Sequence, residues 1–280
     1  MTTVVQRARV RLGALGQEAV AGWVDARRAL SLLTRLPVSV EWDLAQPWGK
    51  LAGWFPFAGL VIGLLLVLLA LAWRAVADPT LVGGALVLAA WVGLTGGLHL
   101  DGAGDCFDAF YAPVSRERRL EIMKDPHIGS FGVTGLVVLL LLKFAGITAI
   151  LASAAGATGF WPPLRALWPL VVAPVVARGV MTGILALRGL PLARSGGMGA
   201  RAREGLGRAQ VDGAVATAVI VALLGEWRGL YMLAAAAAAG AAVVALARRR
   251  IGGITGDVLG AAVEAAEAAA LAAATLICLK

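Results

Sequence analysis

Runs of about 20 apolar residues recur along the whole chain and constrain its fold more than any other feature. In lipid only a helix or a closed barrel satisfies its own backbone, and a spanning helix needs about 20 mostly apolar residues. Residues 53–73 (GWFPFAGLVIGLLLVLLALAW) meet that need, as do 80–98, 131–153 around Lys143, and 166–187 around Arg178. A short run, 211–225, and a longer one, 229–247, flank the break GEWRG, and a last run, 257–279, begins acidic and ends LAAATLICL. The reading is all-α, a polytopic membrane helix bundle of about seven transmembrane helices. The shortest run also fits a tilted, re-entrant or differently bounded segment. Composition agrees, with 60% hydrophobic residues, mean hydropathy +0.83 and only 15% charged residues, where soluble domains carry about 25%.

Residues 16–35 mix Ala, Leu and Trp23 with Arg27, Arg28 and Arg35, the composition of an interfacial amphipathic helix. One integral membrane domain, 1–280, is expected, with 1–50 as a cytoplasmic or interfacial segment and 51–280 as the bundle. No ordered n-region, h-region and cleavage site opens the chain, so the mature protein is expected to keep its N-terminus. The formal net charge is +8. Its arginines sit in loops between apolar runs, which marks orientation rather than nucleic-acid binding. They crowd the N-terminal segment, 116–124, 188–208 and 248–250, while the alternate loops carry only Arg74, Arg165 and Arg228. The N-terminus and every second loop are therefore expected in the cytoplasm of a cell inner membrane. Cys106 and Cys278 are far apart in unlike contexts, so neither a disulfide framework nor a zinc site is supported.

The stretch GGLHLDGAGDCFDAFY, Gly96–Tyr111, breaks the apolar pattern. Asp101, Asp105 and Asp108 stand at i, i+4 and i+7, which puts them on one helical face. Three such carboxylates repel one another unless a cation sits among them, and a hard ion such as Mg²⁺ takes oxygen ligands. The competing reading is a solvated helix end with idle acids, but acids at membrane depth are costly and usually functional. His99 fits a base, a phosphate partner or an interfacial histidine. Cys106 reads as a small packing residue. Downstream, RERRLEIMKDPHIGSFG offers Arg116, Arg118 and Arg119 to phosphate, besides their part in orientation. There Gly129, Ser130 and Gly132 enter the third span, and such a turn at a helix N-terminus can cradle an anion.

A second polar cluster lies in RRRIGGITGDVLGAAVEAAEAAA, residues 248–270. Asp257, Glu264 and Glu267, at i, i+7 and i+10, share a face and should point into the bundle, near a cation or a polar ligand. The orientation argument puts both clusters, the loop PLARSGGMGARAR at 191–203 and the segment Thr34–Pro37 at one membrane face. Four distant stretches converging there outweigh any one of them.

GGLHLDGAGDCFDAF followed by MKDPHIGSFG resembles the cobalamin synthase family, the adenosylcobinamide-GDP ribazoletransferases. LTRLPV at 33–38, FPFAGLVIG at 55–63, PLARSGGMG and IGGITGDVLGAAVEAAE at 251–267 extend the resemblance over most of the chain, in order. It implies a Mg²⁺-dependent membrane transferase that joins adenosylcobinamide-GDP to α-ribazole, or its 5′-phosphate, and releases GMP. Asp101, Asp105 and Asp108 match the aspartate motif, Lys124 and Asp125 the KD of the second motif, and Gly129 and Gly132 its glycines. Cys106 and Phe107 depart from the small residues usual there, and His127 stands where the family often has Arg.

On this reading Asp101, Asp105 and Asp108 bind one or two Mg²⁺ ions with Asp257 completing the set, and Asp108 or His99 accepts the proton of the attacking hydroxyl. Lys124 and Arg119 meet phosphate charge. Asp125, Gly129 and Arg194 contribute to substrate binding, and Glu264 and Glu267 complete the metal site or bind the amide-rich corrinoid rim. Small-molecule substrates and the lipid bilayer are the expected partners, without nucleic acid, and an oligomer is left open. Two other classes stay in view: a CDP-alcohol phosphotransferase, whose D-x2-D-G-x2-A-R spacing differs from D-x3-D-x2-D here, and a transporter with acids lining its path.

Overall fold

The computed structural model describes residues 20–42, 47–77 and 80–278, and all its named elements are helical. In chain order they are α1 (20–33), α2 (Gly49–Ala52), α3 (Phe55–Val76), α4 (Thr80–Thr95), α5 (Leu98–Tyr111), α6 (Arg116–Ile122) and α7 (Ser130–Ala155). Then follow α8 (Trp161–Leu167), α9 (Pro169–Ala186), α10 (Gly197–Arg203), α11 (Arg208–Leu224), α12 (Glu226–Ile251) and α13 (Gly256–Cys278). Five described helical stretches are long and apolar enough to cross a membrane: α3, α7, α8 with α9, α12 and α13. The pairs α4 with α5 and α10 with α11 raise the number to seven if each is one span, but they bend by 92° and 102°. This is an all-α, multi-pass membrane bundle.

Burial separates its helices into an interior and a rim. The spanning windows of α8–α9 and α13 are 83% and 72% buried, against 28% for α12 and 33% for α7. Without a hydrophobic force between helices in lipid, close packing of small residues has to hold such an interior together. Gly59 and Gly63 bring α3 against the backbone of α9 at Pro174 and Val171. One buried cluster extends from Ala29 on α1 to Ala274 on α13.

The structure changes the second expected span. Apolarity continues to residue 98, but the helix stops at Thr95, because Gly96 and Gly97 take φ of +63° and +70°. That left-handed backbone suits glycine, and it turns the chain through a corner. The aspartate motif therefore lies on α5, a separate helix, and not at the end of a span. The backbone N–H of Arg35 donates to the Leu94 carbonyl at 2.7 Å, and the Arg35 side chain lies against Gly96. In the expected interfacial helix, residues 20–33 are helical and bury Ala26, Ala29, Leu30 and Leu33 while exposing Val20 and Trp23. Residues 16–19 lie outside the described residues.

Candidate active site

Two helices build the site by touching backbone to backbone. A Cβ on Gly102 would lie 2.8 Å from the Cα of Asp257, and one on Gly260 would lie 3.1 Å from the His99 carbonyl oxygen. Only residues without a side chain let α5 and α13 meet there, and the contact carries Asp101 and Asp105 up to Asp257. Thr255 fixes the start of α13. Its hydroxyl accepts from the Val258 N–H at 3.2 Å, the usual capping bond, and lies 3.1 Å from Asp257 Oδ2. The loop 187–196 is held to this entry by a short parallel bridge between Leu192 and Ile254. Its bonds run from Ala193 N–H to the Ile254 carbonyl at 2.9 Å and from Ile254 N–H to the Pro191 carbonyl at 3.0 Å. Arg194 is thereby set 3.8 Å from Asp257 and donates to the Leu120 carbonyl at 3.0 Å.

The charge balance at this end is one-sided. Asp105 feels the negative charges of Asp257, Asp101 and Asp108, opposed by Arg194. A cleft opens beside these acids, lined by His99, Asp101 and Asp257 and by the apolar residues Leu32, Phe55, Met181 and Leu185 among others. Among the described residues, no three His, Cys, Asp or Glu side chains stand close enough together to hold an ion as they are placed.

Several expected site residues have other partners. Asp108 turns from the cleft to the start of α7, where its oxygens accept from the N–H of Gly129 at 2.7 Å and of Gly132 at 2.8 Å. The helix start at 129–132 is an anion cradle, as its glycines indicate, but the anion in it is the protein's own carboxylate. A side chain on either glycine would collide with Asp108. Gly129 is thus filled from within rather than presented to substrate.

Arg119 is buried, and its guanidinium donates to the carbonyls of Ala109 at 2.5 Å and Phe110 at 2.8 Å. Its Nη1 satisfies the last carbonyls of α5, where a cation also complements the helix dipole. Lys124 and Asp125 are exposed between α6 and α7. Asp125 accepts from the His127 N–H at 3.0 Å and pairs with its ring at 2.7 Å, which holds its carboxyl below the usual range.

Glu264 and Glu267 do face the interior, but they do not reach the cleft. Lys143 Nζ sits 2.8 Å from Glu264 and also binds Glu267, whose other oxygen takes Arg178. All four are at most 3% exposed. The cations inside the third and fourth expected spans are the partners of the acids inside the seventh. Two charges of each sign, all at membrane depth, signalled this pairing in the sequence, but their depth along each helix did not. The same network touches the site through His99, whose Nδ1 lies 3.4 Å from the Arg178 guanidinium. Cys106 is buried and unpaired, as a packing residue should be.

Fold and site together define a multi-pass helical membrane protein with an acid-rich cleft at one end of the bundle. A family model described as Cobalamin-5-phosphate synthase matches residues 25–275. The chain is 39% identical over 255 residues to the Adenosylcobinamide-GDP ribazoletransferase of Ectopseudomonas mendocina (strain ymp), covering 90% of this chain and 99% of that protein. It is 37% identical to the protein of the same name from Pseudomonas savastanoi pv. phaseolicola, over 89% and 98%. It is 36% identical to that of Pseudomonas aeruginosa, over 89% and 96%. No solved structure matches the chain. The chain belongs to the Cobalamin-5-phosphate synthase family.

Proposed function

We propose that this chain is a transferase of late cobalamin biosynthesis that joins adenosylcobinamide-GDP to α-ribazole, or to α-ribazole 5′-phosphate, with release of GMP. Family membership supports the reaction class. The observation that carries the site is the meeting of α5 and α13 at Gly102, which gathers Asp101, Asp105 and Asp257 beside an apolar-walled cleft with Arg194 as the nearby cation.

Mg²⁺ is the proposed cofactor, and the donor set suits it. Carboxylate oxygens are the ligands a hard cation prefers, and the acids outnumber the guanidinium. Asp101, Asp105 and Asp257 would hold the ion. Asp108, with both oxygens committed to backbone N–H groups, orders α5 against α7 instead. Bound Mg²⁺ would neutralise pyrophosphate charge, which is the main demand of phosphoryl transfer.

The chain's own residues do the rest. The cleft seats the flat base of the acceptor against Leu32, Met181 and Leu185, with its hydroxyl turned toward the aspartates. That hydroxyl oxygen bonds to the phosphorus next to the cobinamide, the bond from this phosphorus to the GMP oxygen breaks, and the hydroxyl proton passes to a carboxylate of the mouth. Arg194 lies where it can meet the charge of the departing phosphate. By the distribution of basic loops, the cleft opens on the cytoplasmic face of the cell membrane.

The test is GMP release by purified protein in nanodiscs, given adenosylcobinamide-GDP and α-ribazole, with and without Mg²⁺. Metal-dependent GMP release with a cobalamin product supports the reading. A folded preparation that releases no GMP sinks it, and turnover of CDP-alcohols or transport in sealed vesicles would then name the class.

A further inference from the structure

His99 is buried, lines the cleft and reaches the charged core through Arg178. Nδ1 meets the Arg178 guanidinium at 3.4 Å, and of the two His99 ring nitrogens it is the one with a partner among the described residues. His99 lines the cleft, with Asp101 and Gly102. Arg178 is wholly buried and held in place by Glu267, by Lys143 on the far oxygen of Glu267, and by the Pro174 carbonyl at 3.4 Å. A guanidinium has only donors and no acceptor. A ring nitrogen that faces it must therefore offer its lone pair. In a neutral imidazole the proton then sits on the other nitrogen.

From this geometry we propose that Arg178 locks His99 as the Nε2–H tautomer, so that His99 is a hydrogen-bond donor to an anionic oxygen, of the phosphate class, in the cleft. Arg178 is the positioning residue, and the Glu267–Lys143–Glu264 cluster keeps it from moving. Two consequences follow for the site. His99 does not take the proton of the attacking hydroxyl, because its cleft-side nitrogen already carries one. Nor does it ligate a metal from the cleft side, because that nitrogen has no lone pair to give. The donor role rests on the phosphoryl-transfer reading above, while the tautomer does not.

The chain has two histidines, which makes the test direct. Protein labelled with ¹⁵N-histidine is placed in nanodiscs, with His127→Gln to leave a single ring. The expected spectrum shows His99 with a bare Nδ1 and a protonated Nε2. A protonated Nδ1, alone or together with Nε2, overturns the proposal. Inorganic pyrophosphate with Mg²⁺ should then shift the Nε2–H signal while its proton stays in place. No shift at saturating pyrophosphate overturns the donor role.

Arg178→Lys, which still only donates, should keep the tautomer. Arg178→Met should release it to a mixture, and a tautomer unchanged in a folded Arg178→Met protein overturns the positioning role. If Arg178→Met does not fold, the wild-type spectrum still decides the tautomer. In the GMP-release assay, His99→Phe should lose on the order of 10²-fold, the size of one lost oxyanion donor, while His99→Gln, with an amide N–H, should lose markedly less. Equal losses in the two variants overturn the donor role. Failure of the functional reading looks different: wild type would release no GMP, with the tautomer as expected.

Discussion

Helix α13 carries acids of two kinds, and their surroundings are opposite. Near its start, Asp257 stands with Asp101 and Asp105 beside one guanidinium, that of Arg194. Seven and ten residues on, roughly 10–15 Å deeper along the axis, Glu264 and Glu267 are sealed from solvent with Lys143 and Arg178 in direct contact. The deep set is balanced charge for charge, ties α7, α9 and α13 together, and commits both oxygens of Glu267 and one of Glu264 to cations. The shallow set has surplus negative charge and borders a cleft. Acidity at membrane depth is thus no guide to chemistry by itself. The count of cations within reach separates the acids that hold the fold from those proposed to hold a ligand.

Neutralising one acid of each set should have opposite effects. Glu267→Gln leaves both Lys143 and Arg178 short of a buried partner, and removing one member of a buried pair costs about 3–5 kcal/mol. The expected outcome is a large fall in the thermal midpoint in detergent, or loss of folded protein. Lys143→Met with Glu264→Gln, which removes one charge of each sign and leaves the Arg178–Glu267 pair, should cost much less. If Glu267→Gln melts like wild type, the deep set is not structural.

The shallow set should show the reverse. Asp101→Asn and Asp105→Asn relieve repulsion, so the melting midpoint should hold or rise. GMP release should fall on the order of 10²-fold or more, as when a charge-stabilising group is lost. Wild-type turnover in a properly inserted Asp105→Asn protein would remove these acids from the mechanism.

Asp108 falls between the two. Its alanine variant leaves the N–H of Gly129, which is exposed, to water and orphans that of Gly132, which is buried, and an unsatisfied buried donor costs about 1–3 kcal/mol. Asp108→Asn keeps one acceptor oxygen and should lose less. Both should cut activity through the angle between α5 and α7 rather than through metal affinity, so the Mg²⁺ concentration for half-maximal GMP release should barely change. A large rise in that concentration would return Asp108 to the metal ligands. The smallest effect is expected at Lys124, which is exposed. Lys124→Ala should shift stability by no more than about 0.5 kcal/mol, and a change in turnover without one would mark a substrate contact.

The sequence shows which residues matter better than it shows whom they meet. Length and apolarity place α3, α7, α9, α12 and α13, because lipid leaves a long apolar run few alternatives. The 92° corner after α4 rests on two left-handed glycines, and glycine pairs occur in straight helices of membrane proteins as well, so apolarity alone runs through it. The i, i+4, i+7 spacing puts Asp101, Asp105 and Asp108 on one helix, but a face is wide enough to touch two neighbours. Asp108 belongs to α7, and the other two acids belong to α13. The anion cradle at Gly129 is legible for the same reason, while its occupant, 21 residues earlier in the chain, is a tertiary fact. Arg119 and Arg194 look alike in a list of basic loop residues, and only packing buries the first under the end of α5 and leaves the second beside Asp257.

The proposed cation site lies in the shallow acids and not in the deep ones. It is tested most directly by Mn²⁺ binding, followed by EPR on the full chain in nanodiscs, for wild type, Asp105→Asn with Asp257→Asn, and Lys143→Met with Glu264→Gln. Saturable binding that Mg²⁺ displaces, lost in the first double variant and kept in the second, is the predicted result. Binding that survives the loss of Asp105 and Asp257, or that vanishes with Glu264, would contradict the account.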